Sequence, residues 1–446
     1  MYSNIIAKER RGDYLGQTVQ LMPHATDFIK KYITDVSKIS VDGRKVPNVC
    51  VIELGGTVGD HESGVYLEAL SEFSKENPTM FVHVSLLPVV NGDVKTKPTQ
   101  QSIKTIRSMG IDPDILVLRC TEDIDESMMS KLSRMCKMSS DSIIINRNVS
   151  SIYEVPKLFY DRGLVRMMSR YLTESKFLCV PDFSDYNNIL RVMRMDLRVV
   201  KIAIVGKYTQ QQDTYLSLIR AIDHSGFVTQ IKPEIVWVDS EDESSVIDKI
   251  RETDGVIIPG GFGTRGVSGM LKAAQYCRET DKPLFGICLG MQIMCIELDR
   301  NVLGNENATS EEFDGTIDDK LKTVKLSDAK TEMGATMRLG LYTCVLENGS
   351  LASEAYGGTT SITERHRHRY EISERFVTDL REYDSANKTV KFNVSGMSLS
   401  KRYVEVVESG SLKFWLGCQF HPEFKSRHNT GHPLFVKFMN TIKSLN

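Results

Sequence analysis

Short apolar runs alternate with helix-like segments along two stretches of the chain. The first stretch contains four runs that predict buried strands, at 45–54, 80–90, 114–120 and 141–146. The second stretch begins at Val199 and contains three more, at 199–206, 255–263 and 283–292. Helical periods separate these runs, for example at 99–109 and in a segment that reaches Ile222. Strands that alternate with helices form parallel sheets through crossover connections, so the pattern predicts an α/β protein with two parallel-sheet domains.

A mixed, turn-rich segment containing PDFSDYNN separates the two stretches. We therefore predict a first domain at 1–168, a linker at 169–198 and a second domain at 199–446. The 446 residues, of which 41% are hydrophobic, provide enough apolar material for more than one core.

Composition and charge exclude several classes of protein. The formal net charge of −2 gives no basic excess for binding nucleic acid. No apolar run approaches the roughly 18 residues that cross a bilayer, and the first residues are too polar for a secretory signal. The nine cysteines show neither a CxxC pair nor a metal-ligand spacing. These features predict a cytoplasmic protein with reduced thiols.

Candidate chemistry begins with the sequence Gly-Ile-Cys-Leu-Gly at 286–290, between a predicted strand and a predicted helix. Glycines on both sides of a nucleophile permit the sharp strand-to-helix turn that exposes its side chain. The start of the helix favours negative charge and hence a thiolate at Cys288. Taken alone, Cys288 is better explained as a small buried core residue.

Two further motifs support the catalytic interpretation of Cys288. His421 and Glu423 follow an apolar run, and we expect side chains two apart on a strand end to face the same way. His421 then accepts the thiol proton while Glu423 orients the imidazole. The glycine loop at 260–263 offers backbone N–H groups for an oxyanion, together with that of Leu289.

With PGGFG, GICLGMQ and QFHPEF in this order, residues 199–437 resemble the class I glutamine amidotransferases. The resemblance implies hydrolysis of L-glutamine to glutamate and ammonia through a thioester on Cys288. It also assigns glutamine contacts to Gly261, Leu289, Gly290, Met291, Gln292, Glu312 and Arg369. Glu312 suits the substrate amine, and Arg369 suits its carboxylate. Arg365, His366, Arg367 and His368 line a domain junction or form a charged surface turn.

Further motifs resemble the CTP synthase family over nearly the whole chain. They are KERRGDYLGQTVQLMPH (8–24), VIELGGTVGDHES (51–63), GDVKTKPTQQS (92–102), SSIYEVP (150–156), GGFGTRGVSGM (260–270), GATMRLG (334–340) and ERHRHRYE (364–371). The resemblance implies a P-loop-like amidoligase domain that uses ATP and this ammonia to aminate UTP to CTP. It also implies Mg²⁺, GTP as an allosteric activator, and assembly into tetramers or filaments.

Nucleotide and metal residues of the first domain follow from the same resemblance. It assigns UTP or CTP contacts to Asp60, His61, Glu62, Lys95, Thr96, Lys97, Pro98, Thr99, Gln100 and Arg147. Two lysines beside a helix start also suit a triphosphate, although a solvated basic loop explains them as well. Glu53, at a predicted strand end, suits Mg²⁺; the alternative is an incidental acid.

Two segments depart from the family pattern. No phosphate loop of the form GxxxxGK[ST] precedes KERRGDYLG, so we expect an N-terminally incomplete amidoligase domain. We expect this chain alone to hydrolyse glutamine and not to make CTP. The alternative is a regulatory or scaffold subunit that joins full-length enzymes. Residues 312–333 also align poorly, which leaves the GTP contacts unassigned.

Overall fold

The protein is described by a computed structural model covering residues 1–40, 45–169, 180–327, 337–386 and 390–445. The chain divides into two compact units, Met1–Ser184 and Asp185–Asn446. The division lies inside the segment predicted as a linker, although helix Ser184–Met193 occupies part of that segment. Residues 170–179 of the predicted linker lie outside the described residues.

The first unit is built around a small parallel sheet. Its strands are β1 (Val82–Leu86), β2 (Val89–Val90), β3 (Asp93–Val94), β4 (Ile115–Cys120) and β5 (Ile143–Arg147). Its helices are α1 (Tyr2–Arg10), α2 (Thr26–Ser37), α3 (Gly64–Glu76), α4 (Lys97–Ser108), α5 (Glu126–Cys136), α6 (Val155–Asp161) and α7 (Leu164–Met168). The helix at the division is α8 (Ser184–Met193). The order β1-β4-β5 is parallel throughout, whereas β2 and β3 form a separate hairpin.

Alternate residues of β4 point to opposite faces of this sheet, as the two-residue period of a strand requires. Leu116 and Leu118 pack into a core with Ile103 of α4 and Leu132 of α5. Ile115 and Val117 pack on the other face, where Met167 of α7 joins them. Both faces of the sheet are therefore covered by helices, which explains why the run 114–120 is almost continuously apolar.

The second unit contains a larger sheet with helices on both faces. Its strands are β6 (Val199–Gly206), β7 (Lys232–Asp239), β8 (Gly255–Ile258), β9 (Leu284–Ile287), β10 (Thr309–Ser310), β11 (Lys322–Leu326), β12 (Arg338–Leu346), β13 (Ser361–His368), β14 (Tyr370–Ile372), β15 (Phe392–Ser398), β16 (Val404–Ser409) and β17 (Trp415–Cys418). Its helices, after α8, are α9 (Leu216–Thr229), α10 (Val246–Arg251), α11 (Val267–Thr280), α12 (Leu289–Asn301), α13 (Leu351–Ala355), α14 (Glu374–Ala386) and α15 (Pro433–Leu445).

Among the described residues this sheet has nine strands, in the order β13-β12-β15-β16-β17-β9-β8-β6-β7. The pairs from β17 to β7 are parallel, and those from β13 to β17 are antiparallel. A second small sheet has the order β10-β11-β14. The prediction of two α/β domains with parallel strands is confirmed, but the larger sheet is mixed because β12 to β16 are antiparallel to their neighbours.

The strand predicted at 45–54 is wrong. These residues form an unpaired, exposed segment in which the Val51 side chain is 90% exposed. An apolar run becomes a strand only where another strand offers backbone hydrogen bonds, and none of the described strands pairs with this run. Glu53 consequently lies in an exposed loop and not at the end of a sheet strand. No helix in the described part of the chain is long and apolar enough to cross a membrane.

Candidate active site

Three neighbouring strands of the larger sheet deliver the groups that the sequence singled out. Cys288 follows β9, the glycine loop 260–263 follows β8, and His421 lies three residues after β17. These strands are parallel and adjacent in the order β17-β9-β8, so their carboxyl ends meet at one edge of the sheet. Open α/β sheets bind ligands at this edge.

Cys288 occupies a strained turn between β9 and α12, with a φ of 54° and a ψ of −103°. A residue other than glycine adopts this backbone conformation only when the surrounding structure enforces it. The flanking glycines show how the turn is enforced. A Cβ on Gly290 would lie 2.8 Å from the carbonyl carbon of Ile258 in β8, and one on Gly286 would lie 2.8 Å from the carbonyl carbon of Gly290. Close backbone packing therefore fixes Cys288 at the tip of the turn.

His421 and Glu423 meet across a hydrogen bond of 2.6 Å between Nδ1 and Oε1. They approach through the helical turn Pro422–Lys425 and not along a strand, because β17 already ends at Cys418. Burial by itself lowers the pKa of His421. The charge of Glu423, the neighbouring thiolate form of Cys288 and hydrogen bonds to both raise that pKa well above its usual value. The surroundings of His421 thus favour the imidazolium.

The loop after β8 lies against both catalytic candidates. A Cβ on Gly260 would be 2.8 Å from Cε1 of His421 and 3.6 Å from Cβ of Cys288, so only glycine fits there without displacing the imidazole. Gly261 faces Leu289, the first residue of α12. A Cβ on Gly261 would lie 3.2 Å from Cδ2 of Leu289, so the loop packs against the start of α12, and the oxyanion role of the two N–H groups stays a prediction.

Glu312 and Arg369, assigned to the substrate amine and carboxylate, interact with one another through charge, and Glu312 contacts the glycine loop. Glu312 accepts a hydrogen bond of 2.8 Å from the Gly263 N–H through Oε1. Burial raises the pKa of Glu312, although this hydrogen bond and the charges of Lys207 and Arg369 oppose the rise. Nε of Arg369 is buried and has no protein partner. A half-buried carboxylate and a half-buried guanidinium thus interact through their charges at this loop.

The sequence did not predict the hydrogen-bonded side-chain amides of Gln419 and Gln292 beside Cys288. Nε2 of Gln419 lies 3.7 Å from the thiol sulfur, and its Oε1 accepts a hydrogen bond of 3.1 Å from Gln292. Gln292 also donates to the carbonyl oxygen of Tyr370 at 3.2 Å. The side chain of Met291 points into the core, where it packs against Gly417 of β17. Of the predicted stretch 289–292, Gln292 is therefore linked to the thiol through the amide of Gln419.

The motif ERHRHRYE contributes a buried charged cluster behind the site. Arg338 bonds Glu371 at 3.1 Å and Glu405 at 2.8 Å. His366 and His368 share a hydrogen bond of 3.0 Å, and His366 lies 3.5 Å from Glu405. The motif lies on β13 and β14 with its histidines buried, so the alternative of a charged surface turn is wrong.

In the first unit, the predicted triphosphate loop 95–100 and Arg147 lie at the carboxyl edge of the parallel sheet. Arg147 is the last residue of β5. The loop follows β1 and the β2–β3 hairpin and leads into the start of α4. Nζ of Lys95 lies 3.2 Å from Asp93, and the Lys97 side chain is exposed. Thr99 is fully buried and donates to the Leu86 carbonyl at 3.0 Å, so its hydroxyl serves the fold. Lys97 and the start of α4 are exposed and suit an anion, whereas Lys95 is paired with Asp93 and Arg147 lies 3.9 Å from Asp123.

Glu53, which was predicted to bind the metal, and residues 60–62, which were predicted to bind the pyrimidine nucleotide, are exposed. Asp60 caps its own loop by accepting a hydrogen bond of 3.1 Å from the Thr57 N–H, while His61 and Glu62 are exposed. Among the described residues, no group of three or more histidine, cysteine or acidic side chains is arranged to hold a metal ion. The surroundings of Glu53 therefore do not form a metal site on their own.

Comparison with known proteins matches both units. Residues 1–173 match the family model "CTP synthase N-terminus", and residues 211–441 match "Glutamine amidotransferase class-I". A CTP synthase of Acidobacterium capsulatum is 43% identical over 449 residues, covering 98% of this chain and 78% of the relative. A CTP synthase of Thermomicrobium roseum is 40% identical, covering 99% and 79%.

A solved structure matches the second unit. The glutaminase domain of Trypanosoma brucei CTPS, with bound acivicin, is 37% identical with a TM-score of 0.51, covering 55% of this chain and 94% of that one. The domain match in both units, and the identity over nearly the whole chain, lead to one conclusion. The chain belongs to the CTP synthase family.

Proposed function

We propose that this protein hydrolyses L-glutamine at Cys288 and delivers the ammonia for ATP-dependent conversion of UTP to CTP. The observation that carries the proposal is the strained turn at Cys288 beside the 2.6 Å His421–Glu423 hydrogen bond. A nucleophile, a base and an orienting carboxylate together constitute the machinery of acyl transfer.

The hydrolysis proceeds through two acyl transfers. The sulfur of Cys288 attacks the side-chain amide carbon of glutamine, and the N–H groups of Gly261 and Leu289 stabilise the oxyanion. The imidazolium of His421 protonates the leaving ammonia, and a thioester forms. His421 then takes a proton from a water molecule, which attacks the thioester and releases glutamate and the thiol. Glu423 holds the imidazole throughout.

Recognition of the substrate backbone belongs to Glu312 and Arg369 in this proposal. The carboxylate of Glu312 pairs with the α-ammonium, and the guanidinium of Arg369 pairs with the α-carboxylate. Support comes from their position: each lies near the glycine loop, and the buried Nε of Arg369 lacks a protein partner. Gln292 and Gln419 supply the polar surface around the thiol and the reacting amide.

UTP and ATP, the substrates that the family implies, belong to the first unit. Lys95, Lys97 and Arg147 are proposed to bind the triphosphate of UTP or CTP, supported by their place at the carboxyl edge of the sheet. Assignments to Asp60, His61 and Glu62, activation by GTP, and assembly into tetramers rest on the family resemblance. The assignment of Mg²⁺ also rests on the family resemblance. No step is assigned to Mg²⁺ because the described residues around Glu53 do not form a metal site.

A purely regulatory or scaffold subunit is not favoured. Such a subunit has no use for a strained nucleophile, and the strain at Cys288 costs roughly 1–3 kcal/mol that only function justifies.

The test separates the two halves of the reaction. Purified protein is assayed for glutamate release from glutamine, and for CTP formation from UTP and ATP with either glutamine or ammonium chloride. We expect Cys288→Ala to abolish glutamine hydrolysis and to leave CTP formation from ammonium chloride equal to that of the parent protein. CTP formed by neither protein would agree with the expectation that this chain alone makes none. Cys277→Ala, which removes another buried thiol, is the matched control. Glutamine hydrolysis that persists in Cys288→Ala protein contradicts the proposal.

A further inference from the structure

Lys207 is a buried cation beneath the glycine loop, and the sequence analysis gave it no role. It follows β6 directly, and β6 lies beside β8, whose carboxyl end begins the loop. Lys207 is only 4% exposed. Its ammonium donates to the carbonyl oxygens of Phe262 at 2.7 Å and Gly263 at 2.9 Å. A lysine is almost never buried unless something specific compensates for the loss of water.

The contact with the Phe262 carbonyl fixes the orientation of the peptide group between Phe262 and Gly263. In a trans peptide the C=O of one residue and the N–H of the next point in opposite directions. The C=O of Phe262 points at Lys207, so the N–H of Gly263 points away from it. That N–H donates to Oε1 of Glu312 at 2.8 Å. The peptide between Phe262 and Gly263 is therefore held between a buried cation and the carboxylate proposed to bind the substrate ammonium.

Lys207 and Glu312 also act on one another through charge. Burial raises the pKa of Glu312, and the Gly263 N–H, Lys207 and Arg369 oppose this rise. Burial lowers the pKa of Lys207, which Glu312 and Glu241 oppose and Arg265 reinforces. Among the described residues, Tyr370 of β14 also interacts with Glu312: burial raises the pKa of Tyr370, and the charges of Glu312 and Glu311 add to this rise. Lys207 is thus one of two cations that favour the ionised form of Glu312.

We propose that Lys207 is a positioning residue for glutamine binding, which aims Glu312 at the substrate α-ammonium and keeps it ionised. The inference rests on the proposed glutaminase function. It differs from a merely structural role in one respect: loss of the Lys207 charge changes how substrate binding depends on pH.

Binding is measured by titration calorimetry with L-glutamine in the Cys288→Ala protein, which cannot turn the substrate over, from weakly acidic to weakly alkaline pH. In Lys207→Met we expect binding about tenfold weaker near neutral pH. We also expect the pH below which binding fails to rise by about one unit, since Glu312 without this cation takes up a proton at higher pH.

Two further substitutions separate charge from packing. Lys207→Gln keeps a donor for the loop carbonyls but loses the charge, so it should shift the pH dependence as Lys207→Met does, even if the methionine variant folds poorly. Lys207→Arg keeps the charge and should leave the acid limit of binding in place. Lys272→Met, at a half-exposed lysine of α11 that pairs with Glu243 at 2.8 Å, controls for the loss of any lysine.

The outcomes distinguish the inference from the function on which it rests. If Cys288→Ala protein binds no glutamine at any pH, the proposed function fails, and the inference fails with it. If that protein binds glutamine and the Lys207 variants bind it with the same affinity and acid limit, only the inference is overturned. Weakening by the same factor at every pH also overturns it, because Lys207 would then be merely structural.

Discussion

At the scale of single residues, the proton affinity of His421 depends on its contact with Glu423. Burial lowers the pKa of His421, and Glu423 is the first of the groups that raise it well above the usual value. Replacing the carboxylate with an amide should therefore lower this pKa and reduce the supply of imidazolium to the leaving ammonia. We expect Glu423→Gln to lower kcat/KM for glutamine hydrolysis roughly a hundredfold.

The pH profile of Glu423→Gln provides a second measurement of the same contact. A raised pKa keeps His421 protonated to higher pH, so the alkaline limit of glutamate release should move to lower pH when the carboxylate is lost. Glu354→Gln, at an exposed carboxylate of α13, should leave rate and profile unchanged. An unaltered alkaline limit in Glu423→Gln would show that Glu423 does not set the protonation of His421.

How far the site could be predicted depends on where its partners lie in the sequence. His421 and Glu423 are two residues apart, and Cys288 lies between glycines, so local motifs identify them. The partners of Lys207 lie 55 and 56 residues away, and the Gln292–Gln419 hydrogen bond spans 127 residues. Such pairs form only when neighbouring strands bring their carboxyl ends together, and no local pattern records this.

At the scale of elements, the junction of β9 and α12 depends on the absence of a side chain at Gly290. A methyl group there would meet the backbone of Ile258 in β8, which cannot rotate away. We expect Gly290→Ala to lower the free energy of unfolding of the second unit by about 2 kcal/mol or more, measured by chemical denaturation. Gly410→Ala, where nothing lies within 4 Å of the added Cβ, should change it little. Equal effects of the two substitutions would contradict this account of the turn.

The start of α4 should determine how tightly the first unit holds a triphosphate. Lys97 is the first residue of α4, with Lys95 just before it, and charge-assisted contacts to phosphate contribute about 1.5–3 kcal/mol each. We expect Lys97→Ala to weaken UTP binding about tenfold or more in an equilibrium binding assay. Lys104→Ala, at an exposed lysine two turns further along α4, should bind UTP like the parent. Equal UTP affinity in all three proteins would favour the solvated-loop alternative.

Strands could be predicted from the sequence where they pair with a neighbouring strand and pack against a core on both faces. The runs 114–120 and 141–146 became β4 and β5 because each has a neighbour and a core on both faces. The run 45–54 is also largely apolar but lacks a paired neighbour among the described strands, so its apolar pattern alone misled. The antiparallel half of the larger sheet was missed because its strands mix apolar, polar and charged residues, as in the alternation of arginine and histidine along β13.

At the scale of the whole molecule, the buried cluster around Arg338 makes the second unit sensitive to pH. Burial raises the pKa of Glu371 to about 8 and that of Glu405 to about 7, with Arg338 opposing both shifts. An acid whose pKa is higher in the folded state than in the unfolded state takes up a proton on folding at pH values between the two. Its contribution to stability is therefore complete below the unfolded pKa of 4.5 and is lost as pH rises through the folded value.

The measurement follows the two tryptophans, Trp237 and Trp415, which both belong to the second unit. The free energy of unfolding of this unit should fall by about 1 kcal/mol per pH unit between about pH 6.5 and 8. Below that window, burial lowers the pKa of His366 to about 2 and that of His368 to about 3, and these two shifts act in the opposite direction. Glu371→Gln should flatten the slope and the exposed Glu382→Gln should not. A slope that is unchanged in Glu371→Gln would show that the cluster does not bind this proton.

In the described part of the chain, each unit contains one cysteine that can be labelled selectively, Cys50 in the first and Cys288 in the second. Of the eight cysteines in the described residues, Cys50 of the first unit is exposed and the other seven are buried. Burial raises the pKa of Cys277, Cys295, Cys344 and Cys418, so these four stay protonated and unreactive. An electrophile shaped like glutamine, used first, therefore marks Cys288, and a general alkylating agent used second marks Cys50 among the described cysteines. Two dyes attached in this order make one unit visible independently of the other, so that ligand binding to either can be followed in the intact chain.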